Sequence, residues 1–191
     1  MNKKKVINTI ITISLFVISL SFSSCKKDVY PKPKAYLHLE YPLAEYHQFK
    51  NDCPFSFAIS TNSKIKFKEG CDAMVHYPEL NANVHITYRR VHNNLKQIMR
   101  EVDKLTTKHT VKADVIIPHP FENTEKKTYG LLSDVQGQSA SNVQFYVTDS
   151  TNHVVTAALY FKVKPNYDSI YPAVAYIKND MMKMMETITF K

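Results

Sequence analysis

The sequence predicts an α+β fold in which an antiparallel sheet carries two packed helices. Segments of alternating apolar residues recur along the chain, turn-forming residues separate them at hairpin-length intervals, and two longer segments change to a helical period. This order of strands, helix, strands and helix is typical of an α+β sandwich. With 191 residues, 44% apolar and 22% charged, the chain is long enough to bury one core, and its composition excludes disordered and collagen-like proteins.

Four short strands are predicted before the first helix; apolar residues alternate with polar or small ones in three of them, and the segment 74–77 precedes a turn. In the last of the four, Val84, Ile86 and Tyr88 share one face, which places His85 on the opposite face. The four predicted strands span residues 55–59, 64–68, 74–77 and 84–88.

Two helices are predicted from apolar stripes at helical spacing. The first stripe consists of Leu95, Ile98, Met99, Val102 and Leu105, and the second of Val174, Ile177, Met181, Met184, Met185 and Ile188. Four more strands lie between them, at residues 111–117, 128–132, 143–148 and 153–163. We expect Pro118 to end the half-buried strand at 111–117, since proline cannot donate to a strand ladder. After a loop at 163–171, Pro172 is expected in the first turn of the closing helix.

The first 24 residues are interpreted as an export signal. Met1–Lys5 is basic, Val6–Phe22 is uncharged and mostly apolar, and two serines then precede Cys25. This order is that of a secretory signal peptide, and the segment ending at Cys25 is similar to the lipobox of bacterial lipoproteins. We therefore predict lipid attachment at Cys25, a tether at 25–35 and a single α+β domain at 36–191. An ordinary secretory peptide with an incidental cysteine is the alternative.

The formal charge of +8 is explained mostly by export and by proximity to a membrane. Three lysines belong to the leader, and the tether holds Lys26, Lys27 and Lys32, which can contact anionic headgroups. The aromatic residues occupy alternating strand positions and are not interleaved with arginine, so nucleic acid is excluded as a partner. The three glycines form no G-x-G-x-x-G motif, which excludes nucleotide binding by that route.

Two cysteines remain besides Cys25, and an even number in an oxidising compartment is typical of a disulfide. Cys53 and Cys71 are 18 residues apart, so a bridge between them would stabilise the fold by about 3 kcal/mol. Two free, buried thiols are the alternative.

No residue pattern predicts an enzyme, a cofactor or a metal site. Asp149, Ser150 and His153 have the residue types of a hydrolase triad, but their segment has turn chemistry and no G-x-S-x-G motif. Eight histidines occur without H-x-x-x-H or H-E-x-x-H spacing. A hydrolase using Ser150 and His153 stays open as one alternative function. A periplasmic lipoprotein that binds a small ligand between sheet and helix is another.

Prolines, aromatic residues and turn residues recur in a fixed order in the segments Tyr30–Pro42, Cys53–Phe57, Ser139–Ser150 and Pro165–Ser169. Together with the lipobox, these segments resemble the GldD family of gliding motility lipoproteins. The resemblance implies an envelope lipoprotein required for gliding in bacteria whose surface-adhesin machinery is coupled to type IX secretion. It implies no reaction and no cofactor. Separately, the pattern of strands and helices is similar to the PsbP and Mog1 fold.

From these observations we expect a lipid-anchored, periplasm-facing accessory protein that assembles or stabilises other proteins of the gliding and secretion apparatus. We expect the N-terminal lipid, with palmitate among its acyl chains, to hold the protein at the inner or the outer membrane. Its other partners would be envelope proteins. The candidate contact residues lie in segments outside the predicted strands and helices: Tyr36, Tyr41, Tyr167 and Asp168. For each of them, packing of the loop on its own domain is the alternative.

Overall fold

The structure is a computed structural model that describes residues 40–49, 51–109, 113–162 and 166–191. These residues contain eleven strands and two α-helices. The strands are β1 (Tyr46–Gln48), β2 (Phe55–Ser56), β3 (Ala58–Ser60), β4 (Lys64–Phe67), β5 (Ala73–Tyr77), β6 (Ala82–Arg90), β7 (Ala113–Asn123), β8 (Thr128–Gly137), β9 (Val143–Thr148), β10 (His153–Phe161) and β11 (Thr189–Phe190). The helices are α1 (Leu95–His109) and α2 (Tyr167–Thr187).

A seven-stranded antiparallel sheet lies at the centre, in the order β4-β5-β6-β10-β9-β8-β7. β6 and β10 pair along their whole length, with Ala82 opposite Phe161 and Arg90 opposite His153. α2 packs on one face of this sheet and α1 on the other. The α+β architecture predicted from the sequence is therefore confirmed.

α2 closes the face where the main hydrophobic core lies. The six apolar residues predicted for its stripe are all buried, and Ile86, Phe145 and Leu159 are buried on the sheet opposite them. Lys178 adds an ion pair on this face, because its Nζ lies 2.7 Å from Oδ2 of Asp134, a buried residue of β8.

α1 packs on the other face through a much smaller cluster. Val91, Ile98 and Val154 are buried there, and Leu95 and Val102 pack against them. Because Leu95, Ile98 and Val102 belong to the predicted apolar stripe, that stripe is the surface by which α1 contacts the sheet.

The strand predicted at 55–59 is divided at Phe57 into β2 and β3. β2 pairs with the C-terminal strand β11, whereas β3 pairs with β1. Phe55, Phe57 and Ile59 are all buried. The alternation in the sequence therefore reports burial on one side of the segment, although two different strands pair with it.

Pro118 does not end its strand, and that expectation is wrong. β7 runs through Pro118 and Pro120 to Asn123. It can do so because β7 is the edge strand of the sheet, and the outer side of an edge strand needs no backbone donor.

Pro172 lies inside α2, so the expectation that it occupies the first turn is also wrong. The helix begins earlier because the Asn166 carbonyl accepts the backbone N–H groups of Ser169 and Ile170. Proline in a helix interior removes the backbone hydrogen bond to the residue four positions before it. Here that residue is Asp168, which is exposed, so the cost falls at the hydrated end of the helix.

The described residues belong to one compact unit, Tyr36–Lys191. The predicted signal peptide at 1–24, the tether at 25–35, the lipid site Cys25 and the contact residue Tyr36 lie outside the described residues. Within the described ranges, no helix is both long enough and apolar enough to cross a membrane.

Candidate functional site

The two edges of the central sheet differ in how well they are protected against pairing with another strand. β4 has four residues and exposes Lys64 and Lys66, and a short, charged edge strand discourages further pairing. β7 has eleven residues and exposes apolar side chains in its N-terminal half. The β7 edge is therefore the candidate functional site.

Three consecutive apolar side chains are exposed at the β7 edge. Val115 is 50% exposed, Ile116 45% and Ile117 37%. On the neighbouring strand β8, Tyr129 is 38% exposed and lies opposite Glu122. A cluster of exposed apolar residues, in contrast to scattered single ones, is typical of an interaction surface.

The two prolines of β7 indicate which backbone groups point away from β8. An antiparallel strand directs the N–H and C=O groups of alternate residues to opposite sides. Pro118 and Pro120 have no N–H to donate to β8, so they occupy the positions whose backbone groups point away from β8. Ile116 is two residues before Pro118 and has the same backbone orientation. Its N–H and C=O therefore face the free edge of the sheet. An incoming strand can pair at Ile116, whereas the prolines prevent that pairing from extending further.

The predicted contact residue Tyr41 packs on the domain. Its ring stacks on that of Tyr176 in α2, with 4.8 Å between the ring centroids. The Tyr176 hydroxyl donates to the carbonyl of Pro42 at 3.1 Å. Burial raises the pKa of the Tyr41 hydroxyl. Tyr41 thus takes part in holding the N-terminal segment on α2.

Tyr167 and Asp168 lie next to each other in the first turn of α2. The Tyr167 ring meets Tyr171 edge-on at 5.6 Å, and Asp168 is exposed at the helix N-terminus, where a carboxylate is electrostatically favourable. Tyr41 contacts the same helix at Tyr176, about 13 Å further along its axis. The structure therefore brings Tyr167 and Asp168 together and separates both from Tyr41.

A second contact between the N-terminal segment and α2 is made by a buried carboxyl group, that of Asp180. The Tyr46 hydroxyl of β1 donates to Oδ1 of Asp180 at 2.7 Å, and Asp180 is only 1% exposed. Tyr77 lies beside this pair, and neither its hydroxyl nor Oδ2 of Asp180 has a hydrogen-bond partner of good geometry among the described residues. Burial raises the pKa of Asp180, and burial together with the hydrogen bond to Asp180 raises the pKa of Tyr46.

The predicted pair of Cys53 and Cys71 forms a disulfide, with 5.7 Å between the two Cα atoms. Gly70 and Cys71 both have left-handed backbone, with φ of 75° and 68°. Glycine adopts this conformation at little cost, whereas a residue with a Cβ does not. The bond to Cys53 holds Cys71 in this conformation, so the disulfide fixes the turn that leads into β5.

The turn at 149–153 is organised around the side chain of Asp149. Its Oδ1 accepts the backbone N–H groups of Thr151, Asn152 and His153 at 3.0, 2.8 and 2.9 Å. Burial acts to raise the pKa of Asp149, but these hydrogen bonds outweigh burial and lower it. Nδ1 of His153 lies 2.8 Å from the Tyr88 hydroxyl, and its Nε2 lies 4.0 Å from Asp149. Both nitrogens of His153 therefore face groups other than Ser150, the nucleophile that a hydrolase would need.

No group of three or more His, Cys, Asp or Glu side chains is placed to hold a metal ion in the part of the chain that the structure describes.

Sequence reasoning missed the exposed edge and interpreted the strand at 111–117 as half-buried, because apolar residues alternate there with Lys112 and Asp114. The structure instead exposes both faces of β7 at Val115–Ile117. Two prolines two residues apart, at 118 and 120, are the signal that could have identified an edge strand.

A family model described as "Gliding motility lipoprotein GldD" matches residues 26–190 of the chain. No curated protein matches the sequence at a significant level. Among solved structures, the chain is similar to the solution structure of the cyanobacterial PsbP (CyanoP) from Synechocystis sp. PCC 6803. That match has 9% identity and a TM-score of 0.49, and it covers 78% of this chain and 95% of that one.

Proposed function

The chain belongs to the gliding motility lipoprotein GldD family, and on that basis we propose that it binds another envelope protein of the gliding apparatus through the β7 edge and stabilises its assembly. As a member of this family, it is a lipid-anchored protein of the cell envelope with an accessory role in gliding motility. We further propose acylation at Cys25, palmitate included, a periplasm-facing domain and a link to type IX secretion.

The exposed β7 edge is the observation that carries this proposal. A partner segment that pairs as an additional strand gains backbone hydrogen bonds at Ile116 and covers the apolar side chains beside it. The opposite edge, β4, presents lysines that discourage such pairing, so binding has a defined side. Pro118 and Pro120 restrict the pairing to the N-terminal half of β7, which favours a short partner segment.

The two faces of β7 specify the kind of segment that fits. Ile117 lies opposite Asp134, on the side of the sheet that α2 covers, whereas Ile116 lies opposite Val135, on the side of α1. Both side chains are exposed. A matching partner is therefore an extended segment with apolar side chains on both of its faces.

Tyr36, Tyr41, Tyr167 and Asp168 stay as candidates for a second contact of the same protein. We propose no catalytic reaction and no cofactor for this chain. The alternative hydrolase would need His153 to activate Ser150, but His153 is engaged by Tyr88.

The double variant Val115→Lys with Ile117→Lys tests the proposal in the native gliding bacterium. Lysines on an edge strand oppose pairing with another strand, so we expect gliding on agar to be lost while the protein stays in the membrane fraction. Thr124→Lys with Thr151→Lys is the matched control, because it places the same two charges on exposed turns away from Val115–Ile117. The control should glide normally.

A photo-crosslinker placed at Ile116 gives a second readout, with Lys66 on β4 as the comparison site. We expect an adduct with another envelope protein from Ile116 and none from Lys66, and the lysine double variant should abolish the adduct. Normal gliding by the double variant would contradict the proposal. An adduct between two copies of this chain would replace it with a homodimer.

A further inference from the structure

A cavity of about 390 Å³ lies between α1 and the central sheet. It is on the opposite face from the main core and is separate from the exposed side chains at Val115–Ile117. It exists because α1 covers the sheet incompletely. The apolar cluster around Val154 seats α1 at one end of the sheet face, while Val102 and Thr106 span the cavity further along the helix.

Two rows of cross-strand neighbours form the floor of this cavity. In the first row Ser133, Gln144, Ala158 and His85 lie side by side on β8, β9, β10 and β6. In the second row the corresponding residues are Leu131, Tyr146, Thr156 and Thr87. The small side chain of Ala158 stands between two larger ones and leaves the space open.

The observation that points to a ligand is a buried polar side chain, Gln144. It is only 8% exposed, it lines the cavity, and its Nε2 has no hydrogen-bond partner among the residues that the structure describes. A buried donor without a partner costs about 1–3 kcal/mol, so native proteins rarely retain one without a use. An acceptor atom of a bound molecule would satisfy it.

The remaining lining groups indicate a neutral ligand. None of the described lining residues is Lys or Arg, and the one carboxylate, Asp103, is exposed on α1. His85 lies at the margin of the cavity, edge-on to Tyr160 at 5.5 Å, and desolvation together with Lys68 lowers its pKa, which favours the uncharged ring. An anion would find no opposite charge among these residues. A flat, apolar molecule would instead contact the rings of Tyr146 and Tyr160.

We propose that this cavity binds a small, uncharged and largely aromatic molecule whose carbonyl oxygen accepts a hydrogen bond from Nε2 of Gln144. The volume is at the lower end of the range typical of small-molecule sites, which suits a ligand of about two fused rings. The site is independent of the β7 edge, so the two proposals can fail separately.

The probe for the test is prodan, an uncharged naphthalene that carries a propionyl ketone and fluoresces at shorter wavelength in apolar surroundings. The protein is the full mature chain with Cys25→Ser, purified without detergent. We expect saturable binding with one prodan per chain and a blue-shifted emission. Ala158→Trp should abolish binding because the indole fills the cavity, whereas Ala140→Trp, which adds the same side chain at an exposed loop position, should leave binding unchanged.

Gln144→Leu tests the hydrogen bond itself. It should weaken prodan about five- to tenfold, the value expected for one neutral hydrogen bond. The same variant should not weaken 2-dimethylaminonaphthalene, which lacks the ketone. Circular dichroism should show each variant folded.

Three results would overturn the proposal: no saturable binding to the parent chain, unchanged binding in Ala158→Trp, or equal weakening of both probes by Gln144→Leu.

Discussion

The two faces of the central sheet each carry one helix, but they are closed to very different degrees. On the α2 side the sheet presents large apolar side chains such as Phe145 and Leu159, and isoleucine and methionine side chains of the helix pack against them. Against α1 the same strands present mostly polar or small side chains around the cavity, and the buried cluster is confined to Val91, Ile98 and Val154. The α2 face therefore supplies most of the stability, and the α1 face is free to hold a ligand.

The largest effect should come from shortening a buried side chain of α2. Ile177→Ala removes a side chain with no exposed surface and should lower the free energy of unfolding by about 2–5 kcal/mol. Val102→Ala on α1, where the side chain is only half-buried, should cost about 1 kcal/mol. Urea unfolding of both variants measures the difference. Equal losses would mean that the two faces contribute alike.

Removal of the disulfide should follow in size. Cys53 belongs to the main core and Cys71 packs against it, so the bond reinforces the α2 face. The double variant Cys53→Ser with Cys71→Ser should lose about 3 kcal/mol of unfolding free energy. The parent protein under reducing conditions should lose a similar amount, and Cys25→Ser serves as the control that should lose none. An unchanged urea midpoint after reduction would contradict this prediction.

Two adjacent alanines of β10 provide a matched comparison of the faces. Ala157 is 3% exposed and faces α2, so Ala157→Leu should overpack the core and cost about 1–3 kcal/mol. Ala158 faces the cavity, so Ala158→Leu should change the unfolding free energy by no more than about 0.5 kcal/mol. Thermal unfolding of the two single variants separates the outcomes. A cost at position 158 as large as at 157 would mean that the cavity is filled.

The smallest effect concerns pH and the one buried carboxyl group of α2, Asp180. Its folded pKa is raised by burial above the ordinary value of 3.8, so the folded state holds the proton more tightly than the unfolded state does. The contribution of Asp180 to stability is then greatest below that ordinary value and falls as the pH rises through the raised pKa, by at most about 1.4 kcal/mol per pH unit. Asp180→Asn should flatten this part of the pH profile. A profile that keeps its slope in the variant would assign it to other groups.

The parts of the fold that could be predicted are those in which one-sided burial sets the spacing of apolar residues. The α2 stripe is the clearest case, since all six predicted residues are buried. The β7 edge could not be predicted in the same way, because alternation shows that a strand exists but not whether a neighbour covers it. Burial of Val115 and Ile117 depends on how far α2 extends over the sheet, and this is decided by tertiary packing.

The sequence allows a ligand site between sheet and helix as an alternative, but it does not identify the residues that line this cavity. His85 was correctly placed on the face opposite Val84 and Ile86, but its neighbours Gln144 and Ala158 come from strands that are distant in the chain. Their juxtaposition depends on the strand order β6-β10-β9, which local patterns do not contain. The contact between Tyr46 and Asp180, 134 residues apart, was missed for the same reason.

The short segment that carries β2 and β3 has a mechanical consequence under the proposed lipid attachment at Cys25. The strand nearest the anchored end, β1, pairs with β3, and the last strand of the chain, β11, pairs with β2. Tension arriving from a membrane would therefore load the contacts of Tyr41 and Pro42 with α2 first, and then β1 with its Tyr46–Asp180 hydrogen bond. Beyond them the force passes to the segment that Cys53 links covalently to the turn before β5. A moving envelope could thus peel away the N-terminal strand while this covalent link keeps the remaining domain folded under load.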